Sequence, residues 1–326
     1  MVSLKFRLYL MLAALFGIVY MIVTLIGARL GIGNFYVYLG IAAVMMFIQY
    51  MIGPSLVEWS MHIEYVDRNR YPALHQMVEE MCRKARIPKP RIGIAHVGLP
   101  NAFAFGRWMS DSRVCVTDGI LGLLKEDELR AVIGHELTHV RSRDVLFITV
   151  LSAIPMILYR VAWQFLFYGG DRRRDNAGAN AALIGLAAFV FYFLTNLLVL
   201  YASRIREYFA DRGSVDLGNP PEKLATALYK LVYGSARTDK DSLRSIEGLK
   251  AFFLNDPSRA SREFSELRAM DLDRSGDIDA AELQEISRRE VRLGFGDKLM
   301  ELLTTHPNML KRIKMLSTYR NRNTYA

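Results

Sequence analysis

The chain has 326 residues, of which 52 % are hydrophobic, and its mean hydropathy is +0.13. These values are high for a soluble protein and low for a pure membrane bundle, so they predict membrane helices joined to a water-soluble part. The net charge of +9 is explained by basic residues flanking membrane helices, and no nucleic-acid-binding motif accompanies it. Cys82 and Cys115 lie far apart without metal-type spacing, which argues against a disulfide framework and fits a reducing compartment.

Two apolar runs open the chain. Residues 8–28 follow Lys5 and Arg7 and, at about 1.5 Å per residue, are long enough to cross the roughly 30 Å hydrocarbon core of a bilayer. The run is too long for the core of a signal peptide, so we predict an uncleaved transmembrane helix. Residues 35–52 predict a second span, which Gly53-Pro54 breaks. The basic N-terminus is expected to stay in the cytoplasm, and two spans return the chain there.

From residue 58 to residue 144 the composition is that of a soluble domain. Residues 71–85 place apolar side chains on one helical face and predict an amphipathic helix. Short stretches with strand character follow at 91–97, 102–105 and 113–117. We expect them to form a small antiparallel sheet beside the next helix.

The motif His135-Glu136-Leu137-Thr138-His139 ends a helical run with apolar residues at regular spacing. Positions i and i+4 of a helix share one face, so the two imidazoles can occupy adjacent corners of a zinc tetrahedron. The glutamate lies one step round the helix, where it reaches a water on the metal and not the metal itself. The alternative is a chance pentapeptide on an amphipathic helix.

Two further apolar runs, 145–168 and 181–202, predict a transmembrane hairpin with a polar loop between them. The helix that carries the motif at 135–139 leads directly into the first of these runs, and the stretch 207–211, which contains Glu207 and Asp211, follows the second. Both stretches would then lie at the same, cytosolic membrane surface. Three arginines at 172–174 oppose this orientation, but the basic residues of the cytosolic flanks outnumber them. A re-entrant or partly buried pair is the alternative for these two helices.

A catalytic zinc needs a third protein ligand. Ser142 and Val145 stand where a metzincin would have glycine and histidine, so that class is excluded. Asp144 is too close on the same helix to close a tetrahedron. Glu207 is the next glutamate after the motif and opens a second helical stretch, so we predict that it is the third ligand. Asp211, four residues on, can accept the second N–H of a ligand histidine. A solvated glutamate beside two arginines is the alternative for residue 207.

The twelve residues 271–282 fit an EF-hand loop at every diagnostic position. The predicted calcium ligands are Asp271, Asp273, Ser275, Asp277 through its backbone carbonyl, Asp279 and Glu282. Apolar residues on both sides predict flanking helices within about 260–292. The alternatives are a solvated acidic turn, or a lone loop that binds weakly, binds Mg²⁺ or acts as a structural clip.

Several of these motifs occur together in a fixed order, which is more specific than any one of them. The set comprises Asn101-Ala102-Phe103-Ala104-Phe105-Gly106, Val116-Thr117-Asp118-Gly119, the motif at 135–139 with Arg143-Asp144, Glu207-Tyr208-Phe209-Ala210-Asp211, and His306-Pro307 ahead of Arg312-Ile313. In this set the chain resembles the HtpX family of membrane-integrated zinc metalloproteases, relatives of the CAAX prenyl proteases. The acidic loop at 271–282 departs from the family pattern and is interpreted as an insertion.

The resemblance implies a mainly α membrane protein with about four transmembrane helices and a cytosolic α+β zincin-like (gluzincin) protease domain. The predicted layout is 1–57 for two spans, 58–144 and 204–326 for the two parts of the protease domain, and 145–203 for the hairpin. The expected function is a zinc endopeptidase of the cell membrane that degrades damaged or misfolded membrane proteins, or unfolded polypeptides, at its cytoplasmic side. Glu136 would be the general base.

Two further roles are hypotheses that the resemblance supports. Residues Asn101, Ala102, Phe103, Ala104 and Phe105 are expected to bind substrate as an added strand, with an ordinary sheet edge as the alternative. His306 is expected near the active site in a catalytic role, as an oxyanion-stabilising donor, although a spare ligand or a helix cap also fits. Two other functions stay open: a CAAX-type prenyl protease, and a non-catalytic, membrane-anchored calcium-responsive binding protein.

Overall fold

The computed structural model describes residues 47–48, 50–55, 57–167, 177–237, 263–264, 267–288 and 301–323. The predicted first span, 8–28, and most of the second, 35–52, therefore lie outside the described residues. The chain divides into two compact units. The first contains the described residues up to Ile52 together with Leu146–Ile205, and the second contains Gly53–Val145 and the described residues from Arg206 onward.

The second unit contains a four-stranded sheet. Its strands are β1 (Ile63–Tyr65), β2 (Arg91–Ala95), β3 (Ala102–Gly106) and β4 (Ser112–Thr117), in the order β1-β2-β4-β3. The antiparallel sheet expected from the sequence was wrong in one pair, because β2 and β4 run parallel. The chain leaving β2 first forms the edge strand β3. The 3₁₀ turn Met109–Asp111 then returns it as β4 between β3 and β2, in the direction of β2.

Helices of the second unit pack on one side of this sheet around a shared apolar core. They are α1 (Pro72–Ala85), α2 (Asp118–Leu123), α3 (Glu126–Ser142), α6 (Pro221–Arg237), α7 (Ala280–Arg288) and α8 (Met309–Asn323), with α4 and α5 described below. Three acidic residues open α3 where its dipole is positive. Arg143 ends α3 in the left-handed conformation with φ 55°. The middle of α3 is fully buried, which fixes the orientation of its polar side chains.

The acidic segment predicted as an insertion is part of the same core. Leu267, Ile278, Leu283 and Ile286 are buried among residues of the other helices. The hydroxyl of Thr226 on α6 both accepts a hydrogen bond from the backbone N–H of Ile278 and donates one to its carbonyl, each at 2.9 Å. The segment is therefore packed as tightly as the helices around it.

Two long helices run through the first unit: α4 (Asp144–Phe167) and α5 (Ala177–Asp216). By length and composition, Asp144–Trp163 and Asn180–Asp216 qualify to cross a membrane. Leu151 of α4 and Val199 of α5 belong to one buried apolar cluster, while other apolar side chains of the pair are exposed. The sequence predicted a span and then a separate helical stretch at 207–211. The structure instead has one continuous helix of 40 residues, because no proline or glycine interrupts it between the two parts.

We predict that Gly134→Ala lowers the free energy of unfolding by about 1–3 kcal/mol. Its new Cβ would lie 2.4 Å from Asn219 Nδ2 and 2.8 Å from Ser214 Oγ, where α3 packs against the end of α5. Gly122→Ala on α2 is the matched control, because its Cβ would meet nothing within 4 Å. The control should be neutral or stabilising by up to about 1 kcal/mol. Denaturant unfolding followed by circular dichroism in detergent measures both, and equal effects would contradict the close α3–α5 packing.

Candidate metal centre

Three side chains from two helices converge in the second unit. The Nε2 atoms of His135 and His139 on α3 are 3.0 Å apart. Oε2 of Glu207 on α5 lies 3.6 Å from the first nitrogen, and Oε1 lies 3.6 Å from the second. In a tetrahedral zinc site with bonds of about 2.0–2.1 Å, neighbouring ligand atoms are about 3.4 Å apart. The three predicted ligands are thus brought together at a spacing that suits one metal ion.

The hydrogen bonds behind the two imidazoles test whether a cation fits. Nδ1 of His135 lies 2.9 Å from Oδ1 of Asp211, and Nδ1 of His139 lies 2.6 Å from Oδ2 of Asp144. Each carboxylate accepts the Nδ1 proton, so each neutral ring directs the lone pair of Nε2 forward. Two unprotonated Nε2 atoms 3.0 Å apart repel each other, so they must share either a proton or a metal ion, and Glu207 beside them supplies a third ligand for a metal. The donor set therefore fits zinc.

A buried arginine balances the acidic groups of the centre. Arg312 on α8 donates from Nε and Nη2 to the two oxygens of Asp211, at 2.9 and 2.6 Å. Its Nη1 is 3.1 Å from Oε2 of Glu207. Arg312 and Asp211 are both fully buried. Such a bidentate pair holds the carboxylate of Asp211 in one orientation. Arg312 therefore fixes the group that accepts the Nδ1 proton of His135.

Glu136 lies beside the ligands but on another face of α3. It is 4 % exposed, and its carboxylate accepts a hydrogen bond from the backbone N–H of Ala104. Burial is the largest influence on this group and raises the pKa of Glu136 above its ordinary value. A carboxylate whose pKa is raised toward neutrality takes and releases protons more readily near pH 7. Glu136 thus has the position and the chemistry of a general base.

The edge strand β3 passes next to Glu136. Within the described residues, β3 pairs with β4 alone. Because hydrogen-bonding direction alternates along a strand, and Asn101 and Thr117 pair by backbone, Ala102 and Ala104 turn their N–H and C=O groups away from β4. The side chains of Phe103 and Phe105 pack in a separate cluster on the other face. The segment predicted to bind substrate therefore presents an edge whose outward groups are those of its alanines.

His306 also reaches the centre. Its Nδ1 is 3.4 Å from Oε2 of Glu207. Both ring nitrogens are buried, and no described residue forms a hydrogen bond with them. A buried imidazole without a hydrogen bond at a metal centre is available to a ligand or a substrate. This arrangement does not suit the alternative of a helix cap, in which a ring atom bonds to the helix backbone.

Two residues of the centre were missed by sequence reasoning. Asp144 was considered only as a ligand and rejected, whereas it supports His139 from behind. Its position just past the end of α3 was the available signal. Arg312 entered only as part of a family motif. Nothing in its spacing on an amphipathic helix distinguishes a buried arginine from a surface one.

The acidic loop forms a second cluster. Carboxylate oxygens of Asp271, Asp273 and Glu282 lie within 4.8 Å of one another. Gly276 has φ +82°, and its N–H donates to Asp271. The remaining predicted ligands, Ser275, Asp277 and Asp279, make hydrogen bonds or ion pairs within the loop or to nearby lysines. Asp271 and Glu282 are each 6 % exposed, whereas Asp273, Ser275 and Asp279 lie at the surface.

Two histidines and a glutamate around one point, with a buried glutamate beside a free strand edge, define the site of a zinc metallopeptidase. The chain belongs to peptidase family M48, whose pattern matches residues 68–320.

Individual relatives agree with this assignment. The chain is 49 % identical over 232 residues to a Protease HtpX homolog of Methanothermobacter thermautotrophicus, covering 71 % of this chain and 86 % of that protein. It is 34 % identical over 278 residues to a Protease HtpX homolog of Moorella thermoacetica, covering 84 % and 81 %. The crystal structure of S. mikatae Ste24p has a similar fold, with a TM-score of 0.51 and 15 % identity over 97 % of this chain and 67 % of that one.

The resemblance to HtpX proteases is thus confirmed, and the chain is a membrane metalloprotease. The CAAX-type protease and the non-catalytic binding protein are not favoured by these matches.

We predict that Glu207→Ala loses tightly bound zinc, because it removes one of three protein ligands. His306→Ala should keep zinc at wild-type stoichiometry, because the three nearest ligand atoms stay in place. Elemental analysis after dialysis against a weak chelator measures both. If Glu207→Ala kept its full zinc content and His306→Ala lost zinc, the third ligand would be His306 and not Glu207.

Proposed function

We propose that this chain is a multi-pass zinc endopeptidase of the cell membrane that cleaves damaged or misfolded membrane proteins at its cytoplasmic side. The observation that carries the proposal is the 3.0 Å approach of the two Nε2 atoms, each with its Nδ1 bonded to a carboxylate. The substrate class rests on the likeness to HtpX proteases. Lys5 and Arg7 at the N-terminus support the orientation through the positive-inside bias.

His135, His139 and Glu207 would hold the zinc ion. When bound, zinc acidifies and orients a water and polarises the peptide carbonyl. Glu136 takes a proton from the attacking water and passes it to the leaving nitrogen. The hydrogen bond from Ala104 keeps its carboxylate in place between helix and strand. Burial of the carboxylate excludes solvent that would compete for the proton.

The edge of β3 would bind the substrate backbone. An extended peptide that pairs with the outward groups of Ala102 and with the outward carbonyl of Ala104, whose N–H is bonded to Glu136, would have one of its peptide bonds beside Glu136. Their small side chains leave room for a neighbouring strand. This mode recognises backbone and not side chains, which suits a protease that accepts many unfolded sequences.

His306 would act on the carbonyl oxygen. As that oxygen gains negative charge in the transition state, an N–H from a preorganised imidazole stabilises it. Its ring lies against Glu207 with no other hydrogen bond among the described residues. Apart from this contact with Glu207, the ring nitrogens have no hydrogen-bond partner among the described residues, so Nε2 is available to the substrate.

The loop at 271–282 would bind one calcium ion. An EF-hand is normally completed by a second hand, which bonds the backbone of the eighth loop residue. Here Ile278 occupies that position, and Thr226 takes both of its backbone hydrogen bonds. Helix α7 after the loop packs in one core with α8, which carries Arg312. Calcium binding would thus stabilise the helix that supports the zinc ligands.

We predict that Glu136→Gln keeps zinc and lowers the rate of casein cleavage by roughly 10²–10⁴-fold, because the amide cannot accept the proton. Glu126→Gln, at the exposed start of the same helix, is the matched control and should retain wild-type activity. Cleavage and zinc content are measured on the same detergent-solubilised preparations. Normal cleavage by the Glu136 variant would refute the assignment of the base.

We predict that the acidic loop binds Tb³⁺ as a calcium probe, with luminescence sensitised by Tyr229, whose hydroxyl is 3.2 Å from Asp271. Calcium should displace Tb³⁺ with a Kd of about 10⁻⁵–10⁻³ M, the weaker part of the range for such loops. Glu282→Gln should abolish the signal. Asp277→Asn is the control, because that position offers only its backbone carbonyl to the ion. Equal loss in both variants would indicate a non-specific acidic cluster.

A further inference from the structure

We infer that Asp144 and Arg206 form a positioning relay for the metal centre, in which Arg206 fixes Asp144 and Asp144 fixes the ring of His139. The inference rests on the proposed zinc site and assigns a role to two residues beyond the ligands and the base. Neither residue touches the reacting atoms. Both act through His139.

The contacts define the direction of the relay. Oδ2 of Asp144 accepts the Nδ1–H of His139 at 2.6 Å, and Oδ1 pairs with the guanidinium of Arg206. Nη2 of Arg206 also donates to the carbonyl of Ser142 at 3.1 Å. The side chains of Asp144 and Arg206 are only 12 and 11 % exposed. The carboxylate is thus held on both sides and has little freedom to turn away.

The backbone places Asp144 for this contact. Helix α3 ends at Ser142, and Arg143 adopts the left-handed conformation with its N–H bonded to the carbonyls of the last turn. This reversal directs the first residue of α4 back toward His139 and not into solvent. A non-glycine residue with positive φ costs free energy, so its presence here indicates that the surrounding contacts stabilise the turn.

Arg206 comes from the other ligand helix. It directly precedes Glu207 on α5, so the ion pair joins the segment after His139 to the residue beside the third ligand. The relay therefore does more than orient one ring. It fixes the spacing between the two chain segments that supply the ligands.

The same arrangement occurs behind the other histidine. There, Asp211 accepts from Nδ1 of His135, and Arg312 holds Asp211. Each ligand imidazole thus has a carboxylate behind it and an arginine behind the carboxylate. Both relays select the same tautomer, which leaves Nε2 as the metal-binding atom on both rings, and each carboxylate increases the basicity of its ring.

The test is the zinc dissociation constant of the full-length, detergent-solubilised protein, measured by competition with a chromophoric chelator. Asp144→Ala should weaken zinc binding about 10–100-fold, the usual effect of losing such a support. Asp144→Asn should weaken it less, because the amide oxygen still accepts the Nδ1 proton. Arg206→Met should also weaken binding, and Arg206→Lys should restore part of the loss. Asp216→Asn, a more exposed carboxylate on α5, is the matched control and should bind as wild type.

A second measurement separates the relay from a purely structural role. The visible spectrum of the Co²⁺ form of Asp144→Asn should differ from that of wild type, because the group that supports a ligand imidazole has changed, whereas Asp216→Asn should leave the spectrum unchanged. The inference is overturned if Asp144→Ala binds zinc within twofold of wild type, or if the Co²⁺ spectrum of Asp144→Asn equals that of wild type. A wild-type protein without tight zinc would instead refute the proposed function itself.

Discussion

The second unit is built around the close approach of two imidazole nitrogens, which must share a proton or a metal ion. The Nε2 atoms of His135 and His139 are 3.0 Å apart, and the carboxylate on the far side of each ring accepts its Nδ1 proton and holds the ring in place. Glu207 closes the third side. Buried charges are tolerated only when they are paired, and Arg312 is the fixed positive charge that accompanies the acidic groups. The acidic groups of the centre are thus balanced by a buried guanidinium, and the three ligand side chains suit one cation.

Close packing of the ligand helices is the second constraint. Two glycines lie where α3 meets the end of α5. A Cβ on Gly213 would lie 2.3 Å from Thr138, and one on Gly134 would collide with Asn219. Gly134 directly precedes His135, and Gly213 lies two residues after Asp211. The backbones can therefore approach closely enough for short side chains to meet at one point, which places the metal centre deep among the helices.

The sequence predicted the metal centre better than the fold around it. Spacing within α3 and the scarcity of acidic residues before Glu207 identify the ligand set, because helical periodicity is a local property. The parallel β2–β4 pair was not predictable in this way, because strand order and direction depend on pairing between segments that are distant in sequence. Likewise Asp144 was judged on whether it could bind metal, and only the left-handed turn at Arg143 reveals that it reaches His139 from behind. The calcium site was predicted because residues 271–282 match the consensus of an EF-hand loop. That consensus does not indicate that the segment packs into the core of the second unit.

That packing makes the acidic segment a structural part of the second unit. Four apolar side chains of the segment fill space shared with α6 and α8, and the hydroxyl of Thr226 satisfies two backbone groups of Ile278 at once. Deleting the segment would leave a cavity lined by apolar residues, and the buried hydroxyl of Thr226 would lose both of its hydrogen-bond partners. The loop therefore cannot be removed without disturbing the helices around it. A change in the loop that moves Ile278 would therefore have to be accommodated by Thr226 and by the helices that share its apolar core.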